Sequence, residues 1–269
     1  MKYKLILSAI LLWFFASCKQ DAKEILKKSF DKCQKIQNGY YEMTRFSHDY
    51  DDTDTSVNSY KCFFNKIQND SLSSSAFHIQ EFYRKPGGDT TVHSREYIYT
   101  GAVFVNLFSD STAVVIDKSK WANRVATSLY QCVLFSPFTD KLSSPLLNAN
   151  KNINLKTTFN FIGVETVNGD LCYHVEIGEF PESEVQAFIQ TLSVNYHVWI
   201  RKSDDLPIQY SSRATNLIEG DTVVQYERFL LTRYELNQLR DQEFPTLKNI
   251  PSFFEIHEFQ GINKQRNLL

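Results

Sequence analysis

The sequence predicts a mainly β protein of the α+β kind, laid out as an antiparallel meander with a few helices. Composition is the first sign. Among 269 residues there are 21 Phe and 14 Tyr but only 9 Gly and 7 Pro, and aromatic side chains suit the half-buried, pleated surface of a sheet. Spacing is the second. Turn chemistry recurs about every ten residues between short alternating apolar runs, the pattern of strands joined by hairpins. The third is Asn168-Gly169-Asp170, set between TFNFIGVETV and LCYHVEI. Asn-Gly is the strongest short hairpin signal.

Met1 to Cys18 reads MKYKLILSAILLWFFASC. Lys2 and Lys4 form a basic start, and Leu5 to Phe15 is an apolar run too short for the roughly 20 helical residues of a bilayer span. Ala16 and Ser17, both small, precede Cys18. This looks like a bacterial lipoprotein signal with its lipobox, which implies cleavage before Cys18 and lipidation of that residue. The alternative is an ordinary secretion signal in which Cys18 is incidental. Lys19, rather than Asp, follows Cys18; by analogy with some bacterial sorting rules this favours the outer membrane. The expected organisation is a signal peptide at 1–17, a lipidated N-terminus and tether at 18–20, and one domain at 21–269. Cleavage leaves about 252 residues, enough for a sizeable core.

The chain carries a net charge of −2 at pH 7 with Lys and Arg dispersed, so a nucleic-acid partner is not expected. No later apolar run reaches the length of a membrane helix. Cys33, Cys62, Cys132 and Cys172 remain after Cys18. An exported chain can pair them in three ways or bury them as thiols, and the lack of any CxxC gives little support to a redox pair or a zinc site. No cofactor and no metal are expected.

In chain order, Lys19–Gln37 reads as an amphipathic helix. Ala22, Ile25, Leu26, Phe30, Cys33 and Ile36 fall on one face. Asp21 and Glu24 near its start and Lys32 and Lys35 near its end suit the helix dipole, with Asn38-Gly39 as the stop. A helix packed on the sheet is the expected role; an amphipathic helix on the membrane is the alternative. Strands follow at Gly39–Phe46, Ser59–Gln68, Ser75–Tyr83, Thr91–Tyr99, Gly101–Leu107 and Ser111–Ile116. The acidic run from His48 to Thr55 lacks the Gly and Glu of an EF-hand loop and reads as a solvated hairpin tip. Ser119–Phe135, with Trp121, Val125, Leu129, Cys132 and Val133 near helical spacing, reads as a helix closing over one face of the sheet.

Thr157–Val167 and Leu171–Ile177 form the clearest hairpin, with His174 on its more polar face as an exposed or edge histidine. Phe180 to Leu192 is expected to be a short helix with Pro181 in its first turn. Strands are then expected at Asn195–Ile200, Ile208–Arg213 and Thr222–Leu231, with a short one at Phe253–Phe259.

Two hairpins carry a family resemblance. Gly163-Val164-Glu165-Thr166-Val167-Asn168-Gly169-Asp170-Leu171-Cys172-Tyr173-His174-Val175 resembles the G-x-E-x-v-n-G-x-x-c-Y-x-v hairpin of LolA-like outer-membrane lipoprotein-sorting proteins. Val198-Trp199-Ile200-Arg201-Lys202 with Leu206-Pro207-Ile208 is similar to that family's W-I-D-k-x-x-x-L-P-v hairpin, with Arg201 in place of the acidic residue. Ala22 to Lys28 fits the A-x-x-I-L-x-K of the helix before the first strand. The resemblance spans roughly residues 21–239. It implies a curved, half-open antiparallel β-barrel of about eleven strands, with helices covering the concave face.

It also implies a function. Members of the superfamily hold lipid or acyl chains in that concavity, where apolar burial contributes about 25 cal/mol per Å². The residues expected to line the cavity are Phe159, Phe161, Tyr196, Val198, Trp121 and Leu129. The expected protein is an envelope lipoprotein, held to the membrane through Cys18, that binds a lipid, an acyl chain or a lipoprotein in transport or sensing. The alternative is a non-catalytic scaffold whose cavity is filled by its own side chains and whose protein partner the sequence does not name. An accessory relative of domains that precede thioredoxin modules is a further alternative. An enzyme is not expected. GxSxG and HExxH are absent, and His48, His78, His93, His174, His197 and His257 show no ligand spacing.

Overall fold

The computed structural model describes residues 21–48, 55–67, 75–84, 91–108, 110–117, 155–182, 189–238 and 255–258. Cys18, the acidic run over 49–54, the expected helix at Ser119–Phe135 with Trp121, Leu129 and Cys132, and most of the tail lie outside these residues.

Helix α1 (Ala22–Gln34) opens on Asp21, whose side chain accepts from the Lys23 amide at 2.9 Å. This N-cap satisfies one of the donors that every helix start leaves open. Glu24 in the first turn and Lys32 in the last complement the dipole. The expected apolar stripe is the buried one: Ala22, Ile25, Leu26 and Cys33 join the main core, with Phe30 packed against it. The helix ends at Lys35, ahead of the expected stop, and Asn38-Gly39 already belongs to the first strand.

Twelve strands follow: β1 (Asn38–His48), β2 (Ser56–Lys66), β3 (Ser75–Arg84), β4 (Thr91–Tyr99), β5 (Val103–Phe108), β6 (Thr112–Asp117), β7 (Leu155–Val167), β8 (Asp170–Pro181), β9 (Ile189–Arg201), β10 (Pro207–Ile218), β11 (Asp221–Leu236) and β12 (Glu255–Glu258). They form one sheet in the order β12-β6-β5-β4-β3-β2-β1-β11-β10-β9-β8-β7. Two meanders, β1 to β6 and β7 to β11, are joined where β1 pairs antiparallel with β11. Eleven strands run antiparallel, and the tail strand β12 adds in parallel to β6. Among the described residues the outer edges of β7 and β12 do not pair with each other, so the curved sheet stays half-open.

The turns follow the sequence closely. Asn168 and Gly169 both take positive φ, 51° and 89°, as do Glu219 and Gly220 at 52° and 96°. Two consecutive left-handed residues make the turn whose twist matches paired strands, and glycine at the second position adopts it without a Cβ penalty.

One expected helix is corrected. Phe180 and Pro181 end β8, and Ile189 to Leu192 begin β9. Ile189 and Gln190 pair with Ile218 and Leu217 of β10, and this long-range ladder outweighs the local helix pattern. Three cysteines, Cys33, Cys62 and Cys172, are buried free thiols. Burial pushes Cys33 and Cys62 up to about 12 and Cys172 up to about 11.

Strand period two divides the sheet into faces. The inner face carries Tyr41, Met43, Tyr60, Cys62, Ile79, Val175, Ile177, Val198 and Leu231, all in the core with α1. The outer face of β4 to β6 carries a second buried cluster of Ile98, Val105, Leu107 and Ala113.

Candidate functional site

Helix α1 lies across the inner face from one edge towards the middle of the sheet. Near its start, the Lys23 ammonium sits 5.1 Å from the centre of the Phe159 ring on β7. At its end, Lys66 Nζ of β2 donates to the Gln34 carbonyl at 2.7 Å. The four described cavity candidates gather at this site. Phe159, Ile177 and Tyr196 stand in one cross-strand row, and Phe161, Val175 and Val198 in the next. Tyr196 and Val198 are core residues, 5% and 1% exposed, while Phe159 and Phe161 are half-buried beside them. The four share one apolar face of the sheet, its floor, with helix α1; the helix expected to shield them, at 119–135, lies outside the described residues.

Next to that floor the inner face turns polar, which composition and periodicity did not show. Arg45 of β1 pairs with Glu227 of β11. Glu81 of β3 collects three donors: Asn58 Nδ2 at 2.8 Å and the Tyr60 hydroxyl at 3.2 Å on one oxygen, and the Tyr97 hydroxyl at 3.2 Å on the other. Burial works against the Arg45 charge, but Glu227 and Tyr60 overcome it and hold its pKa above the usual arginine value. A hydrogen bond with Tyr97 does the same for Arg95. Towards β8, the Tyr196 hydroxyl donates to Glu179 at 3.3 Å. Burial, with Glu227 and Glu179 nearby, pushes the Tyr210 phenol well up. The result is a belt from Glu179 through Tyr196, Tyr210, Glu227, Arg45, Tyr60, Glu81 and Tyr97 to Arg95. Register alone unites these residues, because directly opposed residues share a face.

Three buried atoms on this inner face have no hydrogen-bond partner: Arg45 Nε, Asn58 Oδ1 and Asn106 Oδ1. Asn106 stands opposite Tyr97 on the neighbouring strand. Exchanging the Asn58 amide atoms would turn its oxygen onto the Glu81 carboxylate, so the orientation shown is the favourable one.

The outer face corrects the reading of His174. It does lie on the polar parity of β8, but it is 8% exposed, not an exposed edge group. Its Nδ1 is 2.8 Å from Glu165 Oε1 and its Nε2 is 2.8 Å from His197 Nδ1. The ring stacks on Trp199 with centroids 4.3 Å apart, and Trp199 Nε1 donates to Glu165 Oε2 at 2.9 Å. Bonds from Trp199 and His174 hold the Glu165 carboxyl below its usual range. Burial and the His174 charge lower His197. The pairing of β8 with β9 puts His174 opposite Trp199 and Glu176 opposite His197, which spacing along the chain hides. His78, Glu96 and His93 form a second such group, at 2.8 and 3.2 Å. Among the described residues no group of three or more His, Cys, Asp or Glu is placed to hold a metal ion.

No family model and no curated protein matches the chain. Solved structures are similar in the course of the chain. LprF from Mycobacterium bovis is 8% identical with a TM-score of 0.40, over 84% of this chain and 96% of that one. The lipoprotein LppX of Mycobacterium tuberculosis is 8% identical with a TM-score of 0.39, over 82% and 97%. A LolA superfamily protein from Nitrosomonas europaea is 9% identical with a TM-score of 0.33, over 84% and 98%. These likenesses are loose ones of fold and assign no role to any residue.

Proposed function

We propose that this protein binds an amphiphile, a lipid or a lipoprotein's acyl chains, on the inner face of its sheet, and that lipidation at Cys18 holds it to the bacterial envelope, in the outer membrane. One observation carries the reading. A single face joins an apolar floor, with Phe159 and Phe161 half-buried, to a polar belt whose Arg45, Asn58 and Asn106 keep unpartnered atoms. An amphiphile presents the same division: hydrocarbon gains from apolar burial and a polar head supplies hydrogen bonds. The two hairpins similar to those of lipoprotein-sorting proteins point the same way.

The near-complete burial of Tyr196 and Val198 supports a second reading, a scaffold lipoprotein whose floor is filled by its own helix. Native mass spectrometry of the full chain, with organic extraction of the purified protein, separates the two. A stoichiometric lipid is expected. A clean apo mass that also ignores added lipids would turn the reading to the scaffold.

A further inference from the structure

We propose that the free β7–β8 edge of the sheet is a docking surface for an anionic phospholipid bilayer, which the domain meets beside its own anchor. This rests on the lipidation of Cys18 proposed above and adds the side of the domain that faces the membrane. Among the described residues six large apolar side chains are exposed, and four of them, Ile162, Val164, Leu171 and Phe180, stand on this one hairpin. Val164 opposes Tyr173 and Thr166 opposes Leu171, so Val164, Leu171 and Tyr173 share a face. Lys202 Nζ lies 5.1 Å from the centre of the Tyr173 ring. Exposed apolar groups beside a tyrosine with a lysine over its ring suit the boundary between acyl chains and headgroups.

The chain itself brings this edge to the membrane. Asp21 stands three residues after Cys18, and three residues span at most about 11 Å. Helix α1 starts from Asp21 beside β7, where Lys23 lies over Phe159. A lipid on Cys18 therefore holds the bilayer on the β7 side of the sheet, the far side from β12. Charge agrees. Lys23, Lys27, Lys156 and Lys202 are exposed here, while nearby carboxylates are engaged: Glu24 by Lys28, Asp170 by Arg201, and Glu165 by Trp199 and His174. Lysines so placed are drawn to anionic headgroups. Strand addition by a second copy fits less well. The ladder of β7 shifts register between Phe161 and Gly163, and a bulge in mid-edge spoils the match to an added strand. The open backbone of β7 also fixes the depth. Unpaired N–H and C=O groups stay out of hydrocarbon, so the side chains reach only the acyl–headgroup boundary, about 5–10 Å deep as for an interfacial helix.

The test uses the full chain, expressed with its signal, recovered from the membrane fraction and reconstituted into phosphatidylcholine–phosphatidylglycerol vesicles with or without brominated acyl chains. Bromine quenches a tryptophan that reaches the acyl boundary. Leu171→Trp and Val164→Trp place reporters on the edge, and Val92→Trp places one at an exposed apolar position on β4. The emission added at 171 and 164 is expected to fall by about half or more, and that at 92 by less than about a tenth, as for side chains at the interface and in water. Adding Lys156→Glu and Lys202→Glu is expected to cut the edge quenching at least about twofold, with circular dichroism unchanged. Protein that floats with the vesicles but leaves all three reporters unquenched, or has all three quenched alike, overturns the docking edge and leaves the anchor standing. A dimer crosslinked through β7 with unquenched reporters gives the edge to a second copy. Quenching untouched by the two lysine substitutions overturns the anionic surface. Protein that fails to float and carries no lipid on Cys18 by mass spectrometry overturns the anchor and the docking edge with it.

Discussion

Tyr196 and His197 are neighbours on β9 and face opposite ways. Inside, Tyr196 reaches Glu179 in a belt that leaves Arg45, Asn58 and Asn106 with unmet atoms. Outside, His197 closes a chain with His174 and Glu165 in which each ring is engaged by its neighbour. Both groups are polar and partly buried, and both are assembled by strand pairing. They differ in what they lack. A buried network that satisfies itself rigidifies the sheet, whereas one with orphaned atoms carries a cost that a bound partner can relieve. Polar character alone therefore does not mark a site, and neither does a single unmet atom, since His78 Nδ1 on the outer face also lacks a partner.

The comparison breaks most easily at the floor. Leu26 of α1 is 4% exposed, and Leu26→Ala is expected to cost about 3 kcal/mol through lost burial and the cavity left behind. Urea denaturation followed by circular dichroism measures this, and a loss below about 1 kcal/mol would mean that the helix contributes little to the floor.

The outer face is expected to respond to acid. His197 is lowered in the folded state from 6.5, by burial and by His174. The unfolded chain then binds the proton more readily, so stability falls as pH drops below 6.5 towards the folded pKa. Glu165 and Glu96 are lowered from 4.5, so their contribution is present above that value and is lost as pH falls through the folded pKa. Denaturation at pH steps from about 7.5 to about 4 should show stability falling by at most about 1.4 kcal/mol per pH unit for each proton taken up. His197→Gln should flatten the upper part of that fall and leave the lower part. An unchanged profile would show that His197 is not a coupled member of the chain.

The smallest effect is expected in the belt. Tyr97→Phe removes one of three donors to the Glu81 carboxylate and a partner of Arg95 and should cost about 1.5 kcal/mol, the low end for a hydrogen bond to a charged group. A loss of several kcal/mol would make the belt a structural network like the outer one, and would weaken its claim as a binding site.

The strands were readable in the sequence because alternation and turn residues are local. The hairpin around Asn168-Gly169 appears as expected, and β1 to β6 start and end within a few residues of the expected runs. The stripe of α1 was equally clear, since its burial follows from spacing three and four along one chain segment. Phe180 to Leu192 was misread because pairing with β10 lies outside any local window. The belt was not readable for the same reason. Arg45 and Glu227 are 182 positions apart, and Asn58 and Glu81 are 23 apart.

From the sequence alone came the β class, the hairpins and the helix with its buried stripe. These depend on short-range patterns of side-chain size, polarity and turn chemistry, which the chain carries wherever it goes. Only the tertiary structure decided which face each strand shares with its neighbours. That choice put carboxylates, arginines and tyrosines from β1, β2, β3, β4, β8, β9, β10 and β11 into one belt, and histidines from β8 and β9 into another group on the opposite side. Register is the physical reason: a shift of one residue would exchange the two faces, and the energy that holds the register is the burial of the core beneath α1.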